Sequence, residues 1–155
     1  TGPLFTDREF HNIGLPQHPN LAVDEGRHQA IPTVIDDPFN GMGNYSDSPQ
    51  ATINDRIRFV TLSPNNRGEF KTPSLRNIAK TAPYMHDGRF TTLQEVVNHY
   101  NAMNTTPPIG HREESLLPLE LSNQEQTELI SFLESLTGAS LPEELMKNPF
   151  GEDSP

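Results

Sequence analysis

Six histidines, 21 acidic residues and no cysteine define the chemistry open to this chain of 155 residues. His11, His18, His28, His86, His99 and His111 form no H-E-x-x-H motif and no i, i+4 pair on an expected helix, so a self-contained zinc site is not expected. Without cysteine there is no thiol nucleophile, no disulfide and no zinc–thiolate centre. Serine elbows of the G-x-S-x-G kind and glycine-rich phosphate loops are missing, and the carboxylates are scattered rather than paired. The run Asp36 to Asn44 carries oxygen ligands without the spacing of a calcium-binding loop, and it reads as a surface turn. What remains is one dense block, Phe70 to Phe90 followed by Thr92 to Asn101, which gathers Arg76, Met85, His86, His99 and Tyr100, with Met103 just beyond.

The elements that must position these residues are few. Thr72 as N-cap and Pro73 at the first helical position predict a short helix to about Ala79, stopped by Pro83. Thr92-Leu93-Gln94-Glu95 is a capping box that opens a second helix. Along it Leu93, Val96, Val97 and Tyr100 share one apolar face, with Met103 trailing on its edge. His99 lies about 100° from the middle of that face, which predicts a solvent-facing side chain. A third helix starts at the capping box Ser122-Asn123-Gln124-Glu125, buries Leu129, Ile130, Leu133 and Leu136, and ends at Gly138. Residues 1 to 70 read mostly as loop, with a short extended piece at Phe10 to Leu15 and a short strand at Ile57 to Leu62. Residues 148–155 are expected to fray.

Composition sets limits on this layout. With 15 Pro, 10 Gly, 32% hydrophobic residues and no Trp, the core is thin, and long loops or a large buried cofactor are expected. No stretch approaches the roughly 20 apolar residues of a membrane span. The balance of 11 basic against 21 acidic residues, net -10, argues against nucleic acid as a partner and is compatible with a basic protein partner. The chain opens on Thr1-Gly2-Pro3 without Met or a signal peptide, as a processed or excised piece would.

The block Phe70 to Asn101 resembles the carboxy-terminal haem domain of the bacterial di-haem cytochrome c peroxidase and MauG family. The head, Gly2-Pro3-Leu4-Phe5-Thr6-Asp7 with Phe10-His11-Asn12-Ile13-Gly14, is similar to the segment that follows the haem-attachment motif there, and Leu121 to Gly138 is similar to the closing helix. The resemblance is weakest over residues 16–67 and after Ala139. One departure stands out: haem c needs a C-x-x-C-H unit, and this chain has no cysteine. By the family pattern that unit ends at or just before Thr1, which implies truncation or proteolysis; a homologue that has lost its haem is the alternative.

The resemblance implies an all-α, cytochrome c-like domain over residues 1–138, with long irregular loops and at most a short β hairpin, and a partly disordered extension over 139–155. It implies haem c as cofactor, hydrogen peroxide as substrate and a periplasmic location. It further implies a small redox protein or an oxidisable protein substrate as electron source, and an amino-terminal haem domain as companion. Tyr100 matches the axial-ligand position, where peroxidases carry Met and MauG-like members Tyr; a phenolate favours ferric iron. Met85 and Met103 are rival sulfur ligands, with core packing the alternative. His86 matches a position near the haem pocket, where it would hold its loop or tune the site. Arg76 and Asn77 match the family's L-R-N; the guanidinium would pair with a haem propionate or lock the Thr72 segment to a neighbouring loop. A calcium ion would take the main-chain carbonyls of Thr81 and Pro83. His11 receives no role. Two other readings remain: an electron-transfer cytochrome module without peroxide turnover, and a haem-free interaction domain of the same fold.

Overall fold

The computed structural model describes residues 2–148, and among them every regular element longer than two residues is helical. Two well-capped helices form the centre. In α3 (Leu93–Ala102) the Thr92 side chain accepts from the Glu95 amide while the Glu95 carboxylate accepts from the Thr92 amide, at 3.2 and 2.9 Å. In α4 (Asn123–Ser135) Ser122 and Glu125 repeat the device. Each box satisfies amides that the first helical turn leaves without partners, a contribution of about 1 kcal/mol. Leu93 and Val97 of α3 meet Leu133 and Leu136 at the end of α4, and Tyr84 closes the cluster; Leu129 and Ile130 are half-buried against it. Phe5 of the head packs edge-on against Phe132, 5.8 Å between ring centres. The core is thin, with no side chain among the described residues less than 2% exposed.

The loop-rich first half holds more helix than expected. Arg27–Asp36 forms α1 around the buried Ile31, with Pro32 inside it. No side chain caps its start, and the entry is fixed instead from afar: the Arg27 amide donates to the Glu69 carbonyl at 2.9 Å, and the Arg27 guanidinium pairs with the Glu69 carboxylate at 3.2 Å. The strand expected at Ile57 to Leu62 is not formed. Asp55–Arg58 makes the short helix α2 instead, continued when the Phe59 amide closes on the Asp55 carbonyl at 2.9 Å. A strand needs a neighbour for its backbone groups, and no described strand lies beside this segment. Of the run Asp36 to Asn44, Asp36 ends α1 and residues 38–44 form consecutive turns and bends, as expected.

The strands β1 (Phe10–His11) and β2 (Phe70–Lys71) pair antiparallel, Phe10 opposite Lys71 and His11 opposite Phe70. This ladder corrects the helix expected from Thr72 to Ala79. Beyond it the Thr72 amide donates to the Glu9 carbonyl at 2.9 Å, Thr6 Oγ1 donates to the Thr72 carbonyl at 2.7 Å, and Ser74 Oγ donates to the Leu4 carbonyl at 2.8 Å. These bonds to the head displace helical ones, and Asn77 at φ 61° stops any right-handed run, so only a 3₁₀ turn at Ile78–Lys80 remains. The fraying expected for residues 148–155 falls, apart from Asn148, outside the described residues. No helix among the described residues is long and apolar enough to cross a membrane.

The head is also clasped to a distant loop by His11. Its Nε2 lies 2.8 Å from Asp7 Oδ2 and its Nδ1 3.1 Å from Glu113 Oε2, so both ring nitrogens face carboxylates and both carry protons. The Glu113 and Asp7 carboxylates raise the His11 pKa above 6.5. In return, a bond from the Glu9 amide and then His11 lower Asp7 to about 2, and His11 lowers Glu113. A raised histidine pKa stabilises the fold fully below pH 6.5, and that stabilisation is lost as pH rises through the raised value. His11→Asn is therefore expected to remove the loss of thermal stability that the parent shows as pH rises above 6.5; parallel melting curves for the two proteins across that rise would exclude the clasp.

Candidate functional site

Tyr100 stands on the last full turn of α3, on the face that Leu93 and Val97 bury against α4. Its phenol is half-buried and makes no hydrogen bond among the described residues, and burial pushes its pKa above 10. A phenol left this way keeps its proton unless a cation stands opposite it. The residue is held from behind, where the Leu119 amide donates to the Tyr100 carbonyl at 3.3 Å.

His99 does not face solvent as its place on the helical wheel predicted. It is 9% exposed, because the Asn12 to Leu15 loop crosses that flank of α3, and its Nε2–H donates to the Ile13 carbonyl at 3.1 Å. A carbonyl only accepts, so Nε2 carries the proton. The ring is tilted towards Phe90, 6.0 Å between centres, and meets the Tyr100 ring edge-on at 5.3 Å. Burial first, and then the nearby Arg89 and Arg112, lower its pKa and keep it neutral. No periodic signal marks this residue, since its partner lies 86 positions away in sequence.

Met103 caps α3 in the left-handed region at φ 40° and is 4% exposed; Arg112 Nη1 donates to its carbonyl at 2.6 Å. Met85 sits in the turn after Tyr84 at φ 71° and is half-buried. Arg76 lies against the head: Nε donates to the Pro3 carbonyl at 2.9 Å and the guanidinium covers the Phe5 ring at 5.2 Å. Its neighbour Asn77 is committed to protein, with the Gly138 amide donating to Oδ1 at 2.8 Å and the Asn77 amide donating to the Leu136 carbonyl at 3.1 Å. Among the described residues the carbonyls of Thr81 and Pro83 accept no hydrogen bond.

His86 lies elsewhere. Its ring stacks on Phe70, 3.6 Å between centres and 9° from parallel, on the wall of a cavity of about 320 Å³ also lined by Asn12, Ile13, Leu15, Arg89 and Ile109. Loss of water around the ring lowers its pKa. Tyr100 does not line this cavity, so His86 of the H-D-G turn and Tyr100 of α3 do not converge there. Two features of its wall escaped sequence reasoning. Asn12, 5% exposed, donates through Nδ2 to the Arg67 and Ile109 carbonyls at 3.3 and 3.0 Å. Asp87 and Arg89 form an ion pair at 2.5 Å with side chains 7% and 12% exposed. The H-D-G-R run carried the second signal, an acid and a base two residues apart in a turn.

Comparison with known proteins places these residues in a lineage. No family model matches the chain. A cytochrome-c peroxidase IdrP1 of Denitromonas iodatirespirans is 38% identical over 137 residues, 88% of this chain and 35% of that protein. A methylamine utilization protein MauG of Methylophilus methylotrophus is 33% identical over 137 residues, 88% of this chain and 30% of that protein. Among solved structures, a MauG-like protein associated with microbial copper homeostasis matches with a TM-score of 0.50 at 29% identity, over 90% of this chain and 36% of that one. The chain thus spans about a third of the length of these relatives. Over most of its length the chain is thus 33–38% identical to proteins named cytochrome-c peroxidase IdrP1 and MauG, as a homologue of about a third of such a protein.

Proposed function

We propose that residues 1–138 form a cytochrome c-like domain of a periplasmic di-haem peroxidase or MauG-like oxidase, in which α3 presents Tyr100 as the axial ligand of a haem iron. The observation that carries this reading is the half-buried Tyr100 phenol, without a hydrogen bond among the described residues, at the end of a helix capped and packed along its whole length. Its donor set suits one side of a haem. A phenol is available, the Met103 thioether is packed into the core, and with no cysteine in the sequence the thioether bonds must come from elsewhere. The thin core and exposed residues such as Phe39, Ile53, Phe59 and Leu117 support a domain that completes its packing against a cofactor and a companion haem domain.

Haem c, when bound, supplies the redox-active iron through which hydrogen peroxide is reduced to water with electrons from a small redox protein or an oxidisable protein substrate. The chain's own residues position it. Arg76 holds the head by Nε and keeps its Nη groups for a propionate, while Asn77 fixes the end of α4. His86, on its Phe70 stack, holds the H-D-G turn. The free carbonyls of Thr81 and Pro83 suit a calcium ion, which takes backbone oxygens.

The test is Tyr100→Phe in the full-length, haem-bearing protein. Loss of the phenolate ligand is expected to change the ferric visible spectrum, whereas Met103→Leu leaves it as it was. A parental spectrum for Tyr100→Phe, or a changed one for Met103→Leu alone, would reject the assignment.

A further inference from the structure

We infer that His99 is a positioning residue for Tyr100, fixing the rotation of α3 about its axis so that the phenol points at one place. The inference rests on the reading of Tyr100 as axial ligand. Each step along an α-helix turns the side chain by about 100°, so anchoring one residue's side chain fixes the direction of the next. His99 is anchored: its Nε2–H donates to the Ile13 carbonyl at 3.1 Å, and the ring is enclosed at 9% exposure between Phe90 and Tyr100.

The same loop, and separately Arg112, tie down the chain after the helix at further points. Thr105 Oγ1 donates to the Gly14 carbonyl at 2.6 Å, and Arg112 Nη1 donates to the Met103 and Thr105 carbonyls at 2.6 and 3.3 Å. These bonds hold the backbone after the helix; on the helix itself the two neighbours of Tyr100 are held by their side chains, Asn101 by donating through Nδ2 to the Leu121 carbonyl at 3.1 Å and accepting from the Leu121 amide at 2.6 Å, and His99, on the other flank, by its bond to the Ile13 carbonyl. A buried hydrogen bond whose loss strands the Ile13 carbonyl shifts a two-state balance by roughly tenfold.

The experiment compares His99→Leu, His99→Gln and Tyr100→Phe in the full-length, haem-bearing protein by ferric electron paramagnetic resonance and visible spectra. His99→Leu is expected to lower the ratio of the Tyr-ligated form to other forms about tenfold. His99→Gln, whose amide N–H reaches towards the same carbonyl, is expected to restore the parental signature. A purely structural role would lower stability without moving the signature and without rescue by Gln. A parental spectrum for His99→Leu beside a changed one for Tyr100→Phe overturns the positioning role alone. An unchanged Tyr100→Phe spectrum overturns the ligand assignment and the positioning role together. If His99→Leu fails to load haem, His99→Gln decides: a parental signature supports the N–H donor, and a shift as large as that of Tyr100→Phe overturns it.

Discussion

Arg89→Leu is expected to lower stability by about 3–5 kcal/mol, because it removes one partner of a buried ion pair and leaves the other charged. Arg89 meets the Asp87 carboxylate through Nε at 2.9 and 3.1 Å and through Nη2 at 2.5 Å, and Nη2 also donates to the Pro16 carbonyl at 2.6 Å. Burial alone would raise the Asp87 pKa; Arg89 overrides it and holds the carboxyl below 3.8. Without the guanidinium, Asp87 must take up a proton or stay desolvated, and the Pro16 carbonyl loses its donor. In a chain of this size the thermal midpoint should fall by roughly 2–4 °C for each kcal/mol. Asp87→Asn combined with Arg89→Leu should recover part of the loss, since it removes the stranded charge. A fall of less than about 1 kcal/mol for Arg89→Leu would mean that the pair is solvated and exposed.

What was legible in the sequence was local. The caps at Thr92 and Ser122 are motifs of four residues whose partners lie one turn away, and both helices form where those motifs stand. The partial burial of Tyr100 was legible for the same reason, as the last member of an apolar stripe. His99, Asn12 and the start of α1 were not, because each is determined by a backbone carbonyl far along the chain: that of Ile13, those of Arg67 and Ile109, and that of Glu69. Thr72 and Pro73 show the converse error. A sound local start signal lost to hydrogen bonds with the head, which no window around Thr72 contains. In a chain with little apolar surface, polar cross-links of this kind decide more of the fold than periodicity does, and they also set the site.

Gly110→Ala is expected to cost about 2–5 kcal/mol, the sum of left-handed backbone strain of about 1–2 and overpacking of about 1–3 kcal/mol. At φ 70° a Cβ on residue 110 would stand 2.0 Å from the Arg67 carbonyl oxygen and 3.2 Å from Asn12 Nδ2. The obstacle is backbone, itself fixed by the Asn12 bond, so it cannot swing aside as a side-chain tip would. Gly88→Ala serves as the control, because at φ 66° it meets only the Pro83 ring, Cγ at 3.2 Å and Cβ at 3.6 Å. Strain is common to the two variants, and the difference between them isolates the clash. The consequence reaches α3: Gly110 leads into Arg112, which holds the Met103 and Thr105 carbonyls at the helix end. Gly110→Ala should therefore speed amide exchange at Met103 and broaden the Tyr100-dependent signal in the full-length, haem-bearing protein, while Gly88→Ala should leave both near the parent. Equal losses in the two variants would show that the crossing at residue 110 yields, and that the end of α3 is held by its own cap and core contacts alone.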